Sequence, residues 1–187
     1  MTARIQDPEV MRLVEIANRL EHRYIDDVNI WDGSPFQWLK GGLASRRKGV
    51  AFEELVSEWC AARGLHVAKS PDSDADRIIA GLRAEIKGST LWKGSAYTFQ
   101  QIRDQNYNIV VCLGISPFDA HCWVIPKDDI MALRDEGLIS PQHGGSRGSD
   151  TLWINGVNPM NPPDWIRPYG GSLSAGFANL EILTRKV

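Results

Sequence analysis

Two short apolar runs stand out in the middle of the chain, Ile78-Ile79-Ala80 and Leu82 to Ile86, split at Gly81 and bounded outside by polar residues. That pattern predicts a β-hairpin. With the turn at Gly81-Leu82, Ala80 pairs with Arg83, Ile78 with Glu85 and Asp76 with Lys87. Residues opposite each other in a hairpin share a face, as do residues two apart on one strand. Asp76, Glu85 and Lys87 are therefore expected on one side of one hairpin. Carboxylates beside an ammonium build a poor core but can hold a divalent cation beside a polarised water.

Around the hairpin the periodicity alternates between helix and strand. Val10, Leu13, Val14, Ile16, Ala17 and Leu20 recur at helical spacing from Pro8 to about Asp26, giving an amphipathic helix with Pro8 in its first turn. Residues 27–44, with Trp31, Gly33, Pro35, Trp38 and Gly41-Gly42, read as a connector with buried aromatic anchors. A helix is expected from about Val50 to Arg63, its stripe formed by Phe52, Leu55, Val56, Trp59 and Cys60. At about 100° per residue, Glu54 lies opposite that stripe and Glu53 at its edge, so Glu53 is the one able to look along the packed interface. Leu65 to Ala68 is expected as a short strand, Tyr97 to Gln105 as a helix, and Ile109 to Leu113 as a strand buried on both faces. Ala120 to Ile125 is expected antiparallel to it, and Pro126 to Glu136 as a further helix. Beyond Gly137 the sequence turns loop-rich, with a strand at Thr151 to Ile154 and a Pro/Gly-rich stretch from Asn158 to Gly176. The order implies an α/β fold with a mixed central sheet flanked by helices.

At 187 residues, 43% hydrophobic and 24% charged, the chain is expected to form one soluble domain: an N-terminal helical extension (1–44), a core (45–136) and a loop-rich C-terminal region (137–187). A formal net charge of -2 excludes a blanket polycation, so any nucleic-acid surface must be local. The basic run Arg46-Arg47-Lys48 precedes the Val50 helix; it reads equally as a solvated turn or as a phosphate grip at a helix N-terminus. Cys60, Cys112 and Cys122 lie within apolar runs without a C-x-x-C pair, which fits reduced buried thiols in a cytoplasmic protein rather than a zinc site. No signal peptide or membrane-spanning run is visible.

A Glu-x-Lys triplet alone occurs about once by chance in a chain this long. Its context carries the information: Gly49-x-x-x-Glu53 on a helix, Asp76 opening an apolar strand, a turn, Glu85-Ile86-Lys87 closing the next, then an expected helix and a buried strand. Over about residues 45–115 this arrangement resembles the PD-(D/E)XK nuclease superfamily, with its restriction-endonuclease-like α-β-β-β-α-β core, and is most similar to type II restriction endonucleases. Pro71-Asp72 spells the motif's first pair literally, and Asp72 and Asp74 share Asp76's parity; proximity to the strand favours Asp76.

The resemblance implies a metal-dependent endonuclease, hydrolysing phosphodiester bonds of double-stranded DNA with Mg2+, for which Mn2+ can substitute. It implies Asp76, Glu85 and the Ile86 backbone carbonyl as metal ligands, Glu53 acting through a water or a second metal, and Lys87 aiding the attacking water. Arg46, Arg47, Lys48, Gln101 and Arg147 are the expected DNA contacts. A homodimer would match a palindromic site in a restriction-modification setting. Two other readings stand beside it: a structure-specific nuclease, such as a junction resolvase or repair endonuclease, and a catalytically silent DNA-binding module. His143 reads as a surface histidine and His121 as a packed one, while Trp153 and Trp165 read as a lid over the core.

Overall fold

The computed structural model describes residues 10–16, 30–92, 95–141 and 151–186. The chain divides into two units, Met1–Asp32 and Gly33–Val187. In the first, residues 10–16 are helical, with Val10, Met11, Leu13, Val14 and Ile16 exposed, and Trp31 is buried. The remainder of the helix expected over 8–26 lies outside the described residues.

The second unit runs α1 (Gln37–Lys40), α2 (Ser45–Ala62), β1 (Val67–Lys69), β2 (Arg77–Ile79), β3 (Leu82–Thr90), β4 (Tyr97–Arg103), β5 (Ile109–Ile115), β6 (Ala120–Pro126) and α3 (Lys127–Asp135). It continues with β7 (Ser140–Pro141), β8 (Thr151–Val157), a 3-10 turn (Arg167–Tyr169), β9 (Gly170–Ser172) and α4 (Leu173–Thr184). Six strands form the central sheet in the order β1-β2-β3-β5-β6-β9; β3 and β5 run parallel and the other neighbours antiparallel. This is the expected α/β class with a mixed central sheet flanked by helices.

The two faces of the sheet are set by alternation along β3. Leu82, Ala84, Ile86 and Gly88 face α2, whose buried Phe52, Val56 and Cys60 pack onto them. The contact is so close that a Cβ on Gly88 would lie 1.9 Å from the Phe52 ring. α4 covers the same face: Phe177 meets Trp59 edge-on at 5.6 Å, and a Cβ on Gly176 would lie 2.6 Å from the Cys122 carbonyl oxygen. On the other face the Thr98 N–H donates to Ser89 Oγ at 3.0 Å, and Tyr97 lies over Gly114. That side is closed by the second sheet, β4-β8-β7, and by α3, around Tyr97, Phe99, Ile102, Trp123, Ile125, Ile130 and Ile154. β5, sandwiched between these layers, is buried at every residue, as its uninterrupted apolar run requires.

Five expectations are corrected. The segment 97–105 is not a helix: Tyr97–Arg103 is strand β4, paired with β8. Register shifts between Phe99 and Ile102, where Gln101 has φ +59°, place Phe99 and Ile102 three apart on one buried face. A β-bulge thus imitates helical spacing. The long helix begins at Ser45, not near Val50, so the basic run lies inside its first turn and Gly49 within the helix.

The hairpin turn is Ala80-Gly81, at φ +47° and +89°, rather than Gly81-Leu82; the observed pairs are Ile79 with Leu82, Ile78 with Arg83 and Arg77 with Ala84. Positive φ at both turn residues gives the twist that a two-residue hairpin needs. Alanine is an unusual choice for the first of them, which is why the glycine drew the turn one residue on. Finally, the region after Gly137 is less loop-rich than expected: it supplies β7, β8, β9 and α4, with Ser172 Oγ capping α4 by accepting from Ala175 N–H. Trp165 does pack against the core, as expected, whereas Trp38 is half exposed rather than a buried anchor.

Candidate active site

β3 is longer than β2, and the difference creates the site. β2 pairs with β3 only over Leu82–Ala84, leaving Ile86–Thr90 bonded to β5 on one side with no strand of the six on the other. Asp76, just before β2, closes the step: its N–H donates to the Ala84 carbonyl at 2.9 Å, and its Oδ2 accepts from the Ile86 N–H at 2.7 Å. A residue's N–H and C=O point to the same edge of an extended strand, so the Ile86 carbonyl faces the Asp76 edge too.

Beyond Asp76 the exposed edge opens into a cleft of about 380 Å3. Ser45, Lys48, Gly49 and Glu53 of α2 form one wall, Ile86 to Thr90 the floor, and Trp92, Thr98, Gln100 and Gln101 the other wall.

The register error was of two residues, an even number, so parity survives it. Extending the observed pairing by one residue sets Asp76 opposite Glu85 instead of Lys87, and all three remain on one face. Glu85 is nearly buried and holds Lys87 Nζ through Oε1 at 2.5 Å. Burial raises the Glu85 pKa; Lys87 offsets part of this, while the adjacent Asp76 carboxylate, within hydrogen-bonding reach, pushes it further up.

Glu53 approaches from the α2 side of the sheet, and Glu54 is exposed, as the helical phase required. Burial and the charge of Asp76 raise the Glu53 pKa against the pull of Arg77 and Lys87. Asp76 is therefore the link between two glutamates on opposite faces: it acts on both, and it sits at the edge where the faces meet.

Not every expected residue joins the cleft. Asp76, Glu53, Ile86 and Lys87 line it, while Glu85 lies behind them in contact with Lys87 and Asp76. Of the basic run, Lys48 reaches the cleft, but Arg46 and Arg47 line a separate groove of about 560 Å3 with Trp38, Leu43, Val50 and Leu55. The first turn of α2 carries no acidic residue and no side-chain cap, so these cations crowd the positive end of the helix. Gln101 is on the cleft wall, aimed there by the bulge. Arg147 and His143 lie outside the described residues. Asp72 pairs instead with Arg83 at 2.5 Å, and Gln105 reaches toward Asp74 at 3.5 Å, so neither of these aspartates is at the cleft.

Two residues escaped the sequence reading: Arg77, which holds Glu53 from outside the cleft, and Trp92, which lines it. Arg77 donates to Glu53 Oε2 at 3.0 Å, and its signal was available: it alternates with Asp76 and so faces α2. Trp92 is 57% exposed at the mouth of the cleft; nothing in its sequence neighbourhood distinguishes it from a core tryptophan. His121 is packed, as expected, stacked on Trp123 and bonded to the Tyr97 hydroxyl at 3.1 Å; burial depresses its pKa. The three cysteines are free and buried, and burial pushes the Cys60 thiol up to about 11.

A divalent cation fits the donor chemistry in one respect. Asp76 and Glu85 bring two carboxylates within hydrogen-bonding reach of each other, and hard oxygens at such spacing suit Mg2+, which takes one or two carboxylates and keeps much of its water. Among the described residues no group of three His, Cys, Asp or Glu side chains converges as a preformed cage, and Glu53 Oε2 is held by Arg77. No helix among them is long and apolar enough to cross a membrane.

No protein-family model and no curated protein matches the chain. Among solved structures it is similar to a bacterial homing endonuclease, I-Ssp6803I, with 14% identity and a TM-score of 0.46 over 76% of this chain and 96% of that one.

Proposed function

We propose that the protein is a metal-dependent DNA endonuclease, with Mg2+ or Mn2+ held by Asp76, Glu85 and the Ile86 carbonyl, most like a type II restriction enzyme. One observation carries the reading: a paired Asp76 and Glu85 with Lys87 beside them, at the free strand edge where a cleft begins. The cation on these oxygens would supply the positive charge that lets a polyanion approach three carboxylates. Lys87 lines the cleft and carries the charge that offsets the developing negative charge on the phosphate. It would also help orient the attacking water, whose proton would pass to bulk solvent as the new P–O bond forms and the P–O bond to the leaving oxygen breaks.

Lys48, at the N-terminal turn of α2, faces the same cleft and supplies a phosphate contact, and relief of the crowded cations by DNA phosphates favours this docking. Gln101 on the opposite wall suits a base edge. Arg46 and Arg47 would contact the backbone farther from the cut, and Arg147 would contact DNA from the C-terminal region. Cutting both strands calls for a homodimer.

The reading is tested by incubating the protein, and a Lys87→Ala variant, with unmethylated phage DNA and Mg2+. Discrete fragments from the wild type and none from the variant are expected. Equal cutting by both would move the active site elsewhere.

The competing reading is a DNA-binding module without catalysis. It draws on the internal partners that Glu53 and Glu85 already hold. Metal-independent DNA binding without any strand cleavage would favour it.

A further inference from the structure

We propose that Arg77 is the positioning residue of this site, fixing where Glu53 presents its carboxylate to the cleft; this rests on the nuclease reading above. Three bonds define its place. Nη1 donates to Glu53 Oε2 at 3.0 Å and to the Asp76 carbonyl at 2.8 Å, and Nε donates to Ser57 Oγ at 3.0 Å. Ser57 Oγ in turn donates to the Glu53 carbonyl at 2.7 Å, one helical turn back.

The guanidinium therefore ties the side chain of Glu53 and the next turn of α2 to the backbone of Asp76. No other described contact joins those two carboxylate-bearing segments so directly. Helix and strand edge would otherwise hold Glu53 and Asp76 on separate elements, free to drift by the small distances that matter in a reacting site.

The bonding is specific to arginine. A planar fork with several donors can serve three acceptors in fixed directions, whereas a lysine ammonium is a point charge on a flexible stem. The side chain is 18% exposed, so it is shielded from the solvent that weakens surface pairs. Arg77 bonds Oε2 of Glu53, and Glu53 also lines the cleft.

Charge alone and positioning make opposite forecasts. A nearby cation repels Mg2+, so its removal should tighten metal binding whatever Glu53 does. A positioning residue acts through Glu53, so its removal should matter only while Glu53 is present.

The test is a double-mutant cycle of Arg77→Ala and Glu53→Ala, with Arg77→Lys alongside, read in three ways: DNA cleavage, Mn2+ binding by calorimetry, and thermal melting. Arg77→Ala is expected to lower kcat by about tenfold to a hundredfold with KM for DNA within about threefold, and to weaken Mn2+ binding several-fold. In the Glu53→Ala background the same change should alter either quantity by less than about twofold. Arg77→Lys, which keeps the charge and loses the fork, should melt near the wild type yet stay at least about fivefold slower.

Full activity of Arg77→Lys, or an effect of Arg77→Ala that is undiminished without Glu53, overturns the proposal. So does tighter Mn2+ binding in both backgrounds. Should Arg77→Ala not fold, Arg77→Lys decides alone. A wild type that binds Mn2+ without cutting DNA defeats the nuclease reading and leaves Arg77 to the calorimetric cycle; one that does neither defeats both.

Discussion

The two halves of β3 obey one alternation and end in different environments. Leu82–Ala84 is paired with β2, β5 joins from Ala84 onward, and the charges of Arg83 and Glu85 are met by Asp72 and Lys87. Ile86–Thr90 keeps β5 but lacks β2, and there Lys87 and the strand edge meet a cleft. The difference arises because β3 has nine residues and β2 three. A strand that outlasts its neighbour has an edge without a strand partner, and here that edge floors a cleft.

The comparison breaks most sharply at Lys87. Lys87→Ala should abolish cleavage by at least about a hundredfold and also destabilise the fold by about 3 kcal/mol, because Glu85 is left buried without its partner. Adding Glu85→Gln should restore most of the melting temperature and none of the cleavage. That combination separates the structural role of the pair from its chemistry; recovery of both together would place the chemistry elsewhere.

Gly88 probes the floor of the cleft from the other face. A methyl group there must displace the Phe52 ring, so Gly88→Ala should cost about 1–3 kcal/mol in denaturant unfolding. Gly88→Ala with Phe52→Leu should regain part of that loss, and an unaffected single variant would mean that α2 is not seated as described.

Glu53 and Glu54 give a smaller contrast. Glu53→Gln should slow cleavage by about tenfold, whereas Glu54→Gln, on the exposed face, should stay within about twofold. Equal effects would show that helix phase does not select between them. The smallest effect is expected at Lys48: Lys48→Gln should weaken DNA binding a few-fold and reduce its salt dependence by about one unit of slope. Arg46→Gln should do less, since Arg46 faces the other groove.

Much of this was legible in the chain. The buried β5, the antiparallel β6, the shared face of Asp76, Glu85 and Lys87, and the choice of Glu53 over Glu54 all follow from periods of 2 and 3.6, which are local properties of the backbone. Even the misplaced turn preserved the site, because an error of two residues does not change a side chain's face.

Tertiary structure decided the rest. β4 is a strand because Tyr97, Phe99 and Ile102 find β8 some fifty residues on, and its bulge hid the strand period. The basic run divides between two grooves because α2 begins earlier than its apolar stripe. Arg77 and Trp92 gained their places only when α2, the β3 edge and β4 came together. Local sequence sets which way each side chain faces; which partner waits on that side depends on contacts between segments far apart in the chain, whose energies no single window of sequence contains.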